Sequence, residues 1–105
     1  MKTEFRYEVR PRASHKIRLF YQNVAKRYKH TYDEDDMTRN IFNALFKIQL
    51  IEKTLLQRQP TIRRWKEQKW FMAKADKWYY AYTIDRDTIT IQDACHAQNM
   101  HEDEK

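Results

Sequence analysis

The chain contains no glycine, and that absence constrains its turns before anything else. Glycine is the usual residue where a backbone needs positive φ, so every tight turn here falls to Asp, Lys, Arg or Asn. A single cysteine excludes an internal disulfide and suits a reducing compartment. The two prolines, Pro11 and Pro60, each read as an element boundary. No apolar run nears the ~20 residues that a membrane-spanning helix requires. The opening MKTEFRYEVR lacks the apolar centre of a secretion signal. Together these point to a soluble, cytoplasmic protein. Repeats and low-complexity segments are also missing.

What is there is charge and aromatic bulk. The 105 residues suit one domain, 1–105, with a polar tail over 99–105 that is expected to fray. Charged residues make up 34% and apolar ones only 41%, so the three Trp, seven Tyr and five Phe must supply much of the core volume. A net charge of +6 and a pI near 9.5 favour a polyanionic partner: nucleic acid, an anionic membrane surface or an acidic protein.

Phe5, Tyr7 and Val9 alternate with Arg6, Glu8 and Arg10, the period of a half-buried strand that Pro11 ends. Ala13, Ile17, Phe20, Tyr21, Val24 and Tyr28 then fall at helical spacing and form one apolar stripe. Its opposite face is basic, with Lys16, Arg18, Lys26, Arg27 and Lys29. Asp33 is placed to cap a second helix, with acids in its first turn where the helix dipole favours them. Met37, Ile41, Ala44, Leu45, Ile48 and Leu55 stripe that helix, which is expected to run to about Arg58. Phe42, Phe46 and Leu50 widen the stripe beyond what packing needs, enough for a partner surface. Thr61 to Lys69 shows no period and reads as a basic connection.

From Trp70 onward the chain reads as an antiparallel meander with turns at Asp76-Lys77 and Arg86-Asp87. Pairing through those turns puts Phe71, Ala73, Ala75, Trp78, Tyr80, Tyr82, Ile84, Ile89, Ile91, Asp93 and Cys95 on a core face. Asp93 is the one acid in that set, expected to hydrogen-bond Tyr80 or Tyr82. Trp70, Met72, Lys74, Tyr79, Ala81, Thr83, Thr90, Gln92, Ala94 and His96 fall on the other face, expected to lie uncovered as a shallow groove. The fold class is α+β, β-α-α-β-β-β, with an N-terminal strand, a three-stranded antiparallel meander and two helices on one face.

That order, the strand WYYAYTID and the ending DTITIQDACHAQ resemble the RelE/ParE superfamily of bacterial toxins. Arg63-Arg64-Trp65 falls where that family often has basic residues. The resemblance implies the toxin of a toxin–antitoxin module, partnered by a cognate antitoxin. RelE-like members act on the ribosome and cut messenger RNA without a metal, whereas ParE-like members inhibit DNA gyrase without catalysis. A third expectation is a degenerate member that only binds an antitoxin. Tyr79 stands where the nucleases usually carry arginine, Ala97 and Gln98 where an arginine often follows the position of His96, and Lys77 replaces a usual glycine. The catalytic set of an endoribonuclease would therefore be altered.

Metal-free RNA cleavage needs a base for the 2′-hydroxyl, an acid for the leaving 5′-oxygen and cations around the phosphorane. His96 suits acid or base work near neutral pH, Tyr79 can orient or donate, and Lys74, paired opposite it, can stabilise phosphate charge. Arg63, Arg64 and Lys66 suit phosphate contacts, Trp65 or Trp70 base stacking, and Gln92 a polar contact on the same face. Cys95 and His96 are strand neighbours that point to opposite faces, so they form no dyad. The four histidines and the cysteine show no metal-ligand spacing, and no cofactor is expected.

Overall fold

The alternating N-terminal segment forms strand β1, Arg6–Val9. The computed structural model describes residues 5–54 and 58–99. Arg10 is extended, and Pro11 takes the first position of α1 (Pro11–Arg27), where an N–H would have no helical partner in any case. Ala13 and Ile17 of the expected stripe are fully buried, and Phe20 and Tyr21 pack beside them.

Helix α2 (Glu34–Phe46) opens on a complete capping box. The Asp33 carboxylate accepts from the Asp36 amide at 2.9 Å, and the Asp36 carboxylate accepts from the Asp33 amide at 3.1 Å. The helix does not continue to Arg58. It ends at Phe46 and tightens into a 3₁₀ segment, Lys47–Thr54. Ile48 and Ile51 lie three apart and both are buried, and a period of three aligns such a pair on one edge. The Tyr7 hydroxyl meets the Gln49 carbonyl and the Glu52 carboxylate there, each at 3.0 Å, joining β1 to this segment. Leu55, expected on the same stripe, lies outside the described residues.

Strands β2 (Phe71–Ala75), β3 (Trp78–Asp85) and β4 (Thr88–His96) form the expected meander. The sheet order is β1-β4-β3-β2, with β1 parallel to β4 and the other pairs antiparallel. Asp76 and Arg86 open the two hairpin turns at φ 59° and 58°, the sign that primed turns require. Lys69 is left-handed too, at φ 59°. Three side-chain-bearing residues thus occupy positions that glycine usually fills.

Two further expectations are corrected. First, the second face of the sheet is covered in part, with Met72, Ala81 and Cys95 buried and Lys74 still exposed. The segment expected to be irregular holds a short helix, α3 (Arg63–Glu67). Ile62 and Trp65 from this region bury against Met72, Ala81 and Cys95, with Trp70 and Tyr79 at the margin. The larger core, under α1 and α2, is built on Tyr80, Tyr82, Ile89 and Ile91.

Second, the β3–β4 register shifts by one residue. Tyr82 pairs with Ile91, but Ala81 pairs with Asp93, so Gln92 is an extra residue in a β-bulge. A one-residue slip moves every later side chain to the other face. Asp93 and Cys95 therefore join the α3 side, while Ala94 and His96 turn toward α1. The bulge lies just beyond the last β1–β4 pair, Val9 with Ile91. Among the described residues no helix is long and apolar enough to cross a membrane.

Candidate functional site

The bulge delivers the buried carboxylate of Asp93 to a point where two helices meet β4. From α1, Lys16 Nζ reaches Asp93 Oδ1 at 2.8 Å. From α3, Trp65 Nε1 donates to Oδ2 at 2.8 Å, and Arg64 Nε does so at 3.3 Å. The Ala94 amide donates to Oδ1 at 2.9 Å. Four donors thus serve the two oxygens, enough to satisfy an ionised carboxylate. Burial alone pushes this carboxyl up. Hydrogen bonds from Lys16 and Trp65, the Lys16 charge and the Ala94 amide outweigh it, leaving the pKa below its ordinary value. The expected partners, Tyr80 and Tyr82, are not the ones used: the Tyr80 hydroxyl donates instead to the Ala44 carbonyl at 2.8 Å.

One turn along α1 from Lys16, Phe20 stacks flat on His96, with ring centroids 4.0 Å apart and planes 14° apart. Trp78 meets the imidazole edge-on at 5.1 Å. The Gln98 amide donates to Nδ1 at 3.1 Å, so the neutral ring carries its proton on Nε2. Burial, reinforced by Lys77 and opposed by Asp76, holds the His96 pKa below 6.5. At neutral pH the ring is an uncharged donor.

These groups enclose a cleft of about 290 Å³ lined by Lys16, Arg64, Trp78, Ala94, Cys95, His96 and Asn99. It unites two of the expected site residues, Arg64 and His96, with Lys16, one of the basic residues on the α1 face opposite the apolar stripe. Asp93 was the available signal: an acid in an otherwise apolar list marks either a buried ion pair or a register slip, and here it is both.

The remaining expected residues fall elsewhere. Lys74 and Tyr79 are cross-strand partners as expected, with Lys74 Nζ 5.5 Å from the Tyr79 ring centroid. They lie on the α3 side, however, and His96 lies on the α1 side, so the three do not converge. Trp65 is 0% exposed and cannot stack on a base. Trp70 is half-buried and, with Gln92, lines a separate hollow of about 340 Å³ beside Arg10, Arg12 and Gln68. The Gln92 amide donates to the Thr83 hydroxyl at 3.1 Å. Arg63 and Lys66 are exposed on α3, while Arg64 turns inward to Asp93.

No protein-family model, curated protein or solved structure matches this chain. Among the described residues, no group of three or more His, Cys, Asp and Glu is placed to hold a metal ion. The arrangement places two cationic side chains, both in contact with Asp93, beside an uncharged imidazole donor. A second basic hollow carries an accessible tryptophan edge.

Proposed function

We propose that this chain is a RelE-like toxin of a toxin–antitoxin module, an endoribonuclease that binds messenger RNA on the ribosome and cuts it without a metal. The observation that carries the reading is the cleft in which Lys16, Arg64 and His96 meet. Lys16 and Arg64 both contact the carboxylate of Asp93, and these two cations border the cleft that would receive a phosphate. The neutral His96 Nε2–H is suited to donate a hydrogen bond to a phosphate oxygen, while giving a proton to the departing 5′-oxygen requires the imidazolium, which the lowered pKa makes the minor form at neutral pH. Tyr79 and Lys74 have no part in that cleft and serve as surface contacts. Arg10, Arg12 and Trp70 extend the basic surface that a strand of RNA would follow.

One observation favours a second reading, the ParE-like toxin that binds gyrase without catalysis. His96 Nδ1 is already engaged by Gln98, and no other expected acid or base shares its cleft.

Purified chain added to a translating extract separates the two. Discrete cuts within reading frames, lost in His96→Gln and in Arg64→Ala while both variants keep the wild-type circular dichroism, are the expected result. Intact message together with blocked gyrase supercoiling would replace the first reading with the second. Neither effect, with no growth arrest on induction, would leave a member that only binds an antitoxin.

A further inference from the structure

Phe42 and Phe46 of α2 and Leu50 of the following 3₁₀ segment are 64%, 56% and 41% exposed, three large apolar side chains grouped together among the described residues. Phe42 and Phe46 already stack on each other, with centroids 6.2 Å apart and planes 17° apart. Lys47 stays in the right-handed helical region, so the 3₁₀ segment prolongs α2 and carries Leu50 onward. Leu50, Phe46 and Lys53 border a common hollow of about 480 Å³ with Phe5 and Tyr7. Two turns before Phe42, on the same side of α2, lies exposed Asp35.

The charges at the two ends of this stripe decide what covers it. One end holds exposed Asp35 and the other exposed Lys53; of their charged neighbours, Arg39 is paired with Asp36 and Glu52 accepts from the Tyr7 hydroxyl. A second copy laid antiparallel, with a two-fold axis midway between Phe42 and Phe46, sets each Phe42 against the partner copy's Phe46. The same operation brings each Asp35 to the other copy's Lys53, and each Thr38 to the other copy's Leu50. From the midpoint, Asp35 lies about 14 Å along the α-helix and Lys53 about 17 Å along the mixed α and 3₁₀ path. A lysine side chain spans that difference. A parallel pairing would oppose like charges at both ends and is disfavoured.

We propose that this face is an isologous, antiparallel self-association surface of the chain. It is independent of the cleft at Asp93 and of the reading given to that cleft. One helix face per chain is a small interface, so the dimer is weak, with a dissociation constant on the order of 10 µM.

Sedimentation velocity across that concentration range tests it. The wild-type chain should shift reversibly from monomer to dimer, and Phe46→Glu should weaken association by at least about 10-fold. Asp35→Lys and Lys53→Glu should each weaken it when studied alone. Mixed one to one, those two variants should recover wild-type association, because the heterodimer restores an opposite-charge pair at both ends. A chain that stays monomeric above the expected range overturns the proposal. So does a dimer indifferent to Phe46→Glu, or a mixture of the charge variants that associates no better than either alone.

Discussion

Trp65 Nε1 donates to Asp93 Oδ2 at 2.8 Å, tying α3 to the strand residue that follows the bulge. The bond accounts for two features together. It gives the indole of a fully buried tryptophan its acceptor, and it gives a buried carboxylate a donor that brings no charge of its own. Without the one-residue slip at Gln92, Asp93 would point into the apolar core beneath α1 and α2, away from Trp65.

Asp93→Ala should therefore destabilise the fold by about 1–3 kcal/mol, chiefly by leaving the Trp65 N–H buried without an acceptor. Lys16 and Arg64 keep access to water and can rehydrate, so their lost ion pairs add little. Asp93→Asn should cost less, since its carbonyl oxygen can still accept from the indole. Urea unfolding followed by tryptophan fluorescence measures both. An Asp93→Ala midpoint equal to wild type would remove this role from Asp93.

The folded chain holds His96 below its ordinary pKa of 6.5, so the folded state resists protonation and the unfolded state does not. Stability rises with pH wherever the unfolded state binds more protons. The His96 contribution is thus fully present above 6.5 and lost as pH falls through the lower folded value. Asp93, also depressed, adds a second loss at more acid pH, below its ordinary 3.8. His96→Phe keeps an aromatic ring against Phe20 and should abolish the first step alone. Urea midpoints on either side of 6.5 check this, and an unchanged step in His96→Phe would assign it elsewhere.

Features with a local cause were legible in the sequence. Pro11 at the start of α1, Asp33 as a cap, both hairpin turns and the Lys74–Tyr79 pair all follow from short-range chemistry. The α+β order of strand, two helices and meander followed from periodicity. What was missed depends on tertiary context. A bulge leaves no mark on a strand's two-residue alternation except a residue on the wrong face, and Asp93 was that residue. Helix α3 buries its segment through Ile62 and Trp65, three apart, too short a pattern to count as a period. The α-to-3₁₀ change after Phe46 was hidden because spacings of three and four both occur in that stripe.

The candidate site inherited the same errors. His96, Tyr79 and Lys74 shared one face only while the register was unbroken. Lys16 is one basic residue among five on its helix face, and its partner, Asp93, reads from the alternation as a core residue. The true cleft joins α1, α3 and β4, a convergence that no single window of sequence contains.

The missing glycines leave a measurable mark at Arg86. A non-glycine residue in the left-handed region costs roughly 1–2 kcal/mol, and glycine relieves that while adding freedom to the unfolded chain. Arg86→Gly should therefore stabilise by a few tenths to about 1 kcal/mol, and Arg86→Val should destabilise by about 1–2 kcal/mol. Asp76→Gly should gain less, because it also removes the 2.7 Å ion pair with Lys47. Thermal or urea unfolding ranks the three. Equal stability of Arg86→Gly and Arg86→Val would show that this turn does not hold its left-handed conformation in solution.

On the proposed RNA-binding role, the hollow bordered by Arg10, Arg12 and Trp70 carries two separable signatures. Removing one phosphate contact with Arg12→Ala should lessen the steepness of log affinity against log salt by roughly 0.7 for single-stranded RNA. Trp70→Ala should weaken binding by about 1–3 kcal/mol with the salt slope unchanged, because stacking releases no counterions. Trp65→Phe should leave affinity intact, since Trp65 lies inside the α3 core, and should lower only stability. Fluorescence anisotropy with a labelled oligonucleotide across a salt series reads all three. A Trp70→Ala effect confined to the salt slope, or a loss of affinity in Trp65→Phe equal to that in Trp70→Ala, would place the RNA somewhere other than this hollow.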